Sequence, residues 1–189
     1  MANIFGTNIY QKNIGVDESV VTKAKRLYRT NHIDIPNGWR TNNCYTTFSD
    51  ISKTYNTLAK NSISKYEEEI FNITDLYTQI NHIWLNCYGN GEFQEIHNHI
   101  SIGTGELENH FSCIHFVNFD RDKHKPVVFF DPIEKLRALT YHTEPTTYTP
   151  KISEGDLLIF PSYLDHFVPA SDLTPDNPRI TISFNVKVV

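Results

Sequence analysis

The stretch Gln79-Ile80-Asn81-His82-Ile83-Trp84-Leu85-Asn86-Cys87-Tyr88 marks a change of period in the chain. Ile80, His82, Trp84, Asn86 and Tyr88 alternate with Asn81, Ile83, Leu85 and Cys87, the two-residue repeat of a strand whose side chains point to opposite faces. Before this stretch the repeat is helical. Residues 17 to 29 place Val20, Val21, Ala24, Leu27 and Tyr28 on one apolar stripe, with Asp17 as the predicted N-cap. From about Ser49 to Asn72, Ile51, Tyr55, Leu58, Ile63, Tyr66 and Ile70 recur at three- and four-residue steps, and Glu67-Glu68-Glu69 falls mainly on the solvated side. Asn31 to Asn43, with Pro36-Asn37-Gly38, reads as a loop or short edge segment between the helices.

After the switch the chain reads as strands. Phe111 to Phe119, Pro126 to Phe130, Tyr148 to Ile152, Asp156 to Phe160 and Arg179 to Val188 are short and rich in β-formers. Gly89-Asn90-Gly91, Asp131-Pro132, Glu154-Gly155-Asp156 and Thr174-Pro175-Asp176-Asn177-Pro178 supply the turns. Helices followed by strands predict an α+β chain: a jelly roll or barrel with N-terminal helices packed on it. We expect one domain over 1–189, with 1–79 its helical part and 80–189 its β core.

With 189 residues the chain is long enough for a full hydrophobic core. A balance of 17 Lys+Arg against 22 Asp+Glu, a formal charge of -5, provides no global basic field for duplex nucleic acid. Cys44, Cys87 and Cys113 are too few and too scattered for a disulfide scaffold or zinc knuckle, which favours reduced thiols in a cytoplasmic compartment. The opening residues lack a signal-peptide pattern and no apolar run approaches bilayer length, so no membrane association is expected.

His97-Asn98-His99 carries the most chemistry. On a strand, residues two apart share a face, so two imidazoles there can share one metal ion. A third ligand should come from a distant strand, leaving coordination positions open for oxygen and a co-substrate. His166, which follows the apolar strand Leu157-Leu158-Ile159-Phe160 and the turn at Pro161-Ser162, is the best candidate. On the last strand Arg179 and Thr181 share a face, where a guanidinium and a hydroxyl together could grip the far carboxylate of a dicarboxylate. Glu95, two residues before His97, is an alternative carboxylate ligand, or a group that orients a ligand imidazole.

These residues resemble the iron(II)- and 2-oxoglutarate-dependent dioxygenase superfamily, in particular a small oxygenase family of phages and bacteria. The resemblance runs from Trp84-Leu85-Asn86 through His97-Asn98-His99, Gly155 to Ser162 and His166 to Arg179-Ile180-Thr181-Ile182-Ser183-Phe184-Asn185, about residues 80 to 189. It implies a double-stranded β-helix, cupin-like in architecture, with iron(II) held by His97, His99 and His166. It also implies 2-oxoglutarate as co-substrate, O2 as oxidant and hydroxylation-type chemistry. Most of the superfamily has Asp or Glu where His99 stands, and the change removes a negative charge from the metal's ligands. The resemblance further suggests Asn86 near the co-substrate, and His115, where the family commonly has tyrosine, as either a co-substrate contact or a satisfied core residue.

The resemblance leaves the substrate open: a peptidyl side chain such as proline, a nucleobase or a free metabolite. A homodimer is also left open, and the compartment expected is a bacterial or phage-infected cytoplasm. Two other readings compete. One is a jelly-roll binding or viral structural protein without catalysis, which would have no use for an inward Arg179-Ile180-Thr181 clamp. The other is a three-histidine cupin dioxygenase that does not use 2-oxoglutarate and in which Arg179 anchors a substrate carboxylate. The polar segment His99 to Phe111, with Gly103, Gly105, Glu106, Glu108 and His110, reads as a lid or entry edge. His32, His82, His110, His124 and His142 read as surface or hydrogen-bonded histidines.

Overall fold

The computed structural model describes residues 1–30, 44–58, 60–100, 102–103, 106–134, 146–172 and 176–189. The loop expected at Asn31 to Asn43, and with it His32, lies outside the described residues, as do Gly105, His142, Thr174 and Pro175.

The strands that the two-residue period predicts form the framework. β4 (Thr78–Tyr88), β8 (Phe111–Asn118), β11 (Asp156–Pro161) and β13 (Arg179–Val188) are four strands of a seven-stranded antiparallel sheet. β13 is an interior strand, paired with β4 along one edge and β8 along the other. The sheet continues from β8 to β11, then to β2 (Thr7–Asn13) and β1 (Ala2–Ile4). At the other end β3 (Tyr45–Thr46) closes it beside β4. A smaller sheet has the order β10 (Thr147–Tyr148), β9 (Val128–Phe130), β12 (His166–Val168), β5 (Gln94–His97). β6 (Ile102–Gly103) and β7 (Glu106–Leu107) pair with each other between His99 and β8.

Alternation sorts each long strand onto two faces. Ile83, Leu85 and Cys87, Cys113 and Val117, Leu157 and Ile159, and Ile180, Ile182, Phe184 and Val186 share one buried cluster with the helices. α1 (Glu18–Thr30) contributes Val20, Val21 and Ala24 to it, and α3 (Lys60–Thr74) contributes Tyr66 and Ile70. Each large apolar side chain buried there contributes on the order of 1.5–3 kcal/mol. The opposite face presents Ile114, Phe116, Leu158 and Phe160 to a second cluster with Val127 and Phe129. The arrangement is the double-stranded β-helix with helices on one face that the sequence predicts.

Asp17 caps α1 as expected: its Oδ1 accepts from the Ser19 amide at 2.8 Å. The single helical region expected from Ser49 to Asn72 is two helices, α2 (Ile51–Thr57) and α3, because Leu58 turns extended at φ -82, ψ 134. The helical reading of 1–79 needs a larger correction. Residues 2–13 form β1 and β2, and β2 pairs with β11 from Asn13 opposite Asp156 to Tyr10 opposite Ile159. β11 has an edge to fill, and main-chain pairing with β2 fills it. Gly155 makes the approach feasible. It has φ +83, and a Cβ there would meet the Asn13 side chain at 3.0 Å and Gly15 Cα at 3.1 Å.

Candidate active site

His97 and His166 arrive on neighbouring strands of the smaller sheet and stand opposite each other in register. The pairing of β5 with β12 slips between Gln94 opposite Val168 and His97 opposite His166, so three residue steps on β5 match two on β12. Such a bulge re-aims side chains. Both Gln94 and His97 line the space between the sheets, although strict alternation would separate them.

His99 lies two residues beyond the end of β5, not within a strand as expected. Its amide donates to the Ser162 carbonyl at 2.9 Å, and its own carbonyl accepts from Asn109 Nδ2 at 3.1 Å. So held, its ring reaches the same point. Ring centroids are 4.3 Å apart for His97 and His166, 5.2 Å for His97 and His99, and 5.1 Å for His99 and His166. One nitrogen from each lies within 4.8 Å of the others. Glu95 is not part of the cluster, because the bulge breaks the shared face that would have placed it there.

The hydrogen bonds of the three rings select their ligand atoms. Nδ1 of His97 donates to the Glu95 carbonyl at 2.7 Å, Nδ1 of His166 to the Leu164 carbonyl at 2.9 Å, and Nδ1 of His99 to Asn185 Oδ1 at 2.7 Å. An imidazole whose Nδ1 carries the proton keeps its lone pair on Nε2. Burial is the main cause that holds all three neutral: it lowers His97, takes His99 down to about 4 and pushes His166 well below its ordinary value. Three neutral nitrogen donors with oriented lone pairs fit a divalent transition metal.

A second set of polar groups lies deeper between the sheets. On the inner face of β13 and β4, Arg179 stands opposite Tyr88, Thr181 opposite Asn86, Ser183 opposite Trp84 and Asn185 opposite His82. Arg179, Thr181 and Asn86 line one compartment together with the three histidines. Arg179 is only 2 % exposed, yet among the described residues it pairs with no carboxylate. One of its nitrogens, Nη1, donates to the Lys125 carbonyl at 2.7 Å, while Nε has no partner. Asn86 Oδ1 and Trp84 Nε1 are buried and likewise unpartnered. Buried polar atoms left unmatched cost about 1–3 kcal/mol each, a cost that an anionic, hydrogen-bonding ligand would relieve. These features suit a small dicarboxylate.

His115 does not join this compartment. It stands opposite Ile182 on the helix-facing side of the sheet, where its Nδ1 accepts from Tyr66 Oη at 2.8 Å and its Nε2 donates to the Gly15 carbonyl at 2.9 Å. It is a satisfied core residue, and its candidacy as a co-substrate contact is withdrawn. The sequence reading had also passed over Asn185, which holds His99, and Tyr88, Gln94 and Ser183, which line the compartment. Asn185 and Ser183 were within reach of the alternation that selected Arg179 and Thr181.

A family model described as "Putative 2OG-Fe(II) oxygenase" matches residues 82–185, a span that holds all three histidines, Arg179, Thr181 and Asn86. The chain belongs to this family. It is thus an iron(II)- and 2-oxoglutarate-dependent oxygenase with O2 as the third reactant, and not a jelly roll without catalysis. No curated protein matches it in sequence. Among solved structures the oxygenase resembles a prolyl-4-hydroxylase from Pseudomonas putida, at 10% identity and TM-score 0.60 over 97% of this chain and 94% of that one. It is also similar to HygX from Streptomyces hygroscopicus, solved with nickel and 2-oxoglutarate bound, at 12% identity and TM-score 0.60 over 97% and 83%. A viral collagen prolyl hydroxylase from Paramecium Bursaria Chlorella virus-1 matches at 10% identity and TM-score 0.55 over 96% of each chain. At these identities the likeness is one of fold. No helix among the described residues is long and apolar enough to cross a membrane.

Proposed function

We propose that the oxygenase hydroxylates a C–H bond of a peptide or small molecule, with His97, His99 and His166 as the iron ligands through Nε2. Arg179 binds the far carboxylate of 2-oxoglutarate, assisted by Thr181, and Asn86 offers Oδ1 or its amide to the same ligand. The observation that carries the reading is the pairing, in one compartment, of three convergent imidazoles with a buried guanidinium that has no carboxylate partner among the described residues. When bound, iron(II) lets O2 divide between 2-oxoglutarate, which leaves as succinate and carbon dioxide, and the substrate carbon, which gains a hydroxyl.

The protein's own groups do the placing. The Nδ1 hydrogen bonds fix the direction of each lone pair. Trp84, Tyr88, Ile114 and Val168 wall the inner compartment and keep water from it. A buried cation strengthens its hold on a carboxylate because few solvent dipoles compete.

The test is anaerobic titration of the full chain with iron(II) and then 2-oxoglutarate, followed by the weak visible charge-transfer band of a chelated 2-oxo acid. The band should appear, and Arg179→Ala should abolish it at the same co-substrate concentration. Bound iron without the band would shift the reading to a three-histidine dioxygenase in which Arg179 anchors a substrate carboxylate. Failure to bind iron would overturn the ligand assignment.

A further inference from the structure

We infer that the indole N–H of Trp84 positions the co-substrate by donating to the carboxylate at its 2-oxo acid end, the end opposite Arg179; this rests on the active site proposed above and adds a residue to it. Trp84 is 2 % exposed, and its Nε1 is buried without a hydrogen-bond partner among the described residues. An indole N–H can only donate, so what it lacks is an acceptor. A buried donor left unmatched is the exception in folded proteins, and it points to a partner that the polypeptide does not itself supply.

The position of Trp84 indicates which partner. Two spaces meet at the histidines: the inner compartment that holds Arg179, and an open groove of about 320 Å³ with Phe48, Ile96 and Asn109 in its walls. Trp84, Gln94, His97 and His99 line both. A donor that faced the open groove would be reached by water, whereas Nε1 is shielded from it. The N–H therefore serves the inner side.

The sheet register sets the level at which it acts. Trp84 stands opposite Ser183 and Tyr88 opposite Arg179, so four residues of β13, about 14 Å at ~3.4 Å per residue, separate the two levels. The guanidinium stays by its cross-strand partner, 4.6 Å from the centroid of the Tyr88 ring. The indole lies at the histidine end, with its ring centroid 5.5 Å from that of His99. A dicarboxylate with its far end on Arg179 brings its other carboxylate toward the indole. Packing fixes the donor in advance: Phe48 and His82 meet the Trp84 ring edge to face, with centroids 5.1 and 6.2 Å away. A donor so held loses little freedom when the ligand arrives, and a hydrogen bond to an ionised carboxylate is roughly twice as strong as one between neutral groups.

The experiment is proton NMR of the indole N–H groups of the full chain loaded with zinc(II), before and after addition of 2-oxoglutarate. Co-substrate binding is established first by the charge-transfer band of the iron(II) form; absence of the band would overturn the active-site reading and this inference together. The chain has two tryptophans, Trp39 and Trp84, so Trp39→Phe assigns the two resonances. We expect the Trp84 N–H to move downfield on addition of 2-oxoglutarate and to exchange more slowly with solvent. Trp84→Phe keeps an aromatic ring and removes the donor. In anaerobic titrations it should weaken 2-oxoglutarate binding about tenfold and leave iron(II) affinity in place. It should weaken 2-oxopentanoate, which keeps the 2-oxo acid and lacks the far carboxylate, by the same factor, whereas Arg179→Ala should weaken 2-oxoglutarate alone. With the band present, a Trp84 resonance that stays in place, a Trp84→Phe loss confined to 2-oxoglutarate, or a parallel loss of iron(II) affinity would each overturn the inference.

Discussion

Arg179 and Tyr88 are cross-strand partners, and the guanidinium carbon lies 4.6 Å from the centroid of the tyrosine ring. Phe116 flanks the same cation at 5.8 Å. The aromatic faces offset part of the cost of burying the charge, but ring quadrupoles contribute only about 0.5–2 kcal/mol, well short of what a buried carboxylate partner would. Burial accordingly lowers the guanidinium from its usual range. The ligand-free protein thus stores an unfavourable interaction at the place where the co-substrate is proposed to bind.

Replacement of Arg179 by Met should therefore raise the melting temperature of the ligand-free protein while it removes 2-oxoglutarate binding. A gain of about 1–3 kcal/mol is expected from replacing a buried unpaired charge with an apolar chain of similar length. Differential scanning calorimetry with and without 2-oxoglutarate checks both halves. A destabilised Arg179→Met would mean that the Lys125 carbonyl and the two rings already satisfy the cation.

His115 supplies a pH test that is independent of the metal. Burial first, then Lys65, pushes it down to about 4, against hydrogen bonds from the backbone that raise it. Its unfolded value is 6.5, so between pH 6.5 and 4 the unfolded chain binds a proton that the folded chain refuses. Stability contributed by neutral His115 is present above that window and is lost as pH falls through it, by about 1.4 kcal/mol per pH unit at the steepest. His115→Gln should flatten the slope by about one proton in urea denaturation at a series of pH values. The slope will not vanish, because His99 and His166 are also buried in the neutral form. An unchanged slope would show that His115 does not titrate this way.

Much of the fold was legible because both faces of the major sheet are covered. β13 matches its predicted span, Arg179 to Val188, since its apolar residues pack under helices while the alternate ones face the smaller sheet. β2 was not legible. Thr7-Asn8-Ile9-Tyr10-Gln11-Lys12-Asn13 has little apolar signal of its own, and pairing with β11, some 145 residues away, makes it a strand. The site divided in the same manner. The His97-Asn98-His99 pair and the Arg179-Thr181 face followed from local spacing, and His166 from its place after the apolar strand Leu157 to Phe160. The bulge that turns His97 inward and Glu95 away depends on β12, and the face that His115 takes depends on its register with β13. Partner-strand information of that kind is absent from local periodicity.

Asn185 gives the sharpest test of how His99 is held. It accepts from His99 Nδ1 at 2.7 Å and from Ser112 Oγ at 3.0 Å, so its carbonyl oxygen is fixed from two sides. His97 and His166 rely on backbone carbonyls that no substitution removes, whereas the orientation of His99 rests on a side chain. Loss of such a supporting bond typically costs 10–100-fold in metal affinity. Asn185→Ala should weaken iron(II) or cobalt(II) binding by about that factor while the far-ultraviolet circular dichroism stays native. Asn185→Asp should behave differently, since a carboxylate also accepts from Nδ1–H, adds negative charge beside an all-imidazole site and makes His99 a stronger donor. Metal affinity should then recover to wild type or above. If Asn185→Ala retained full affinity, His99 would not be a ligand, and the site would have to draw its third donor from the co-substrate or from water.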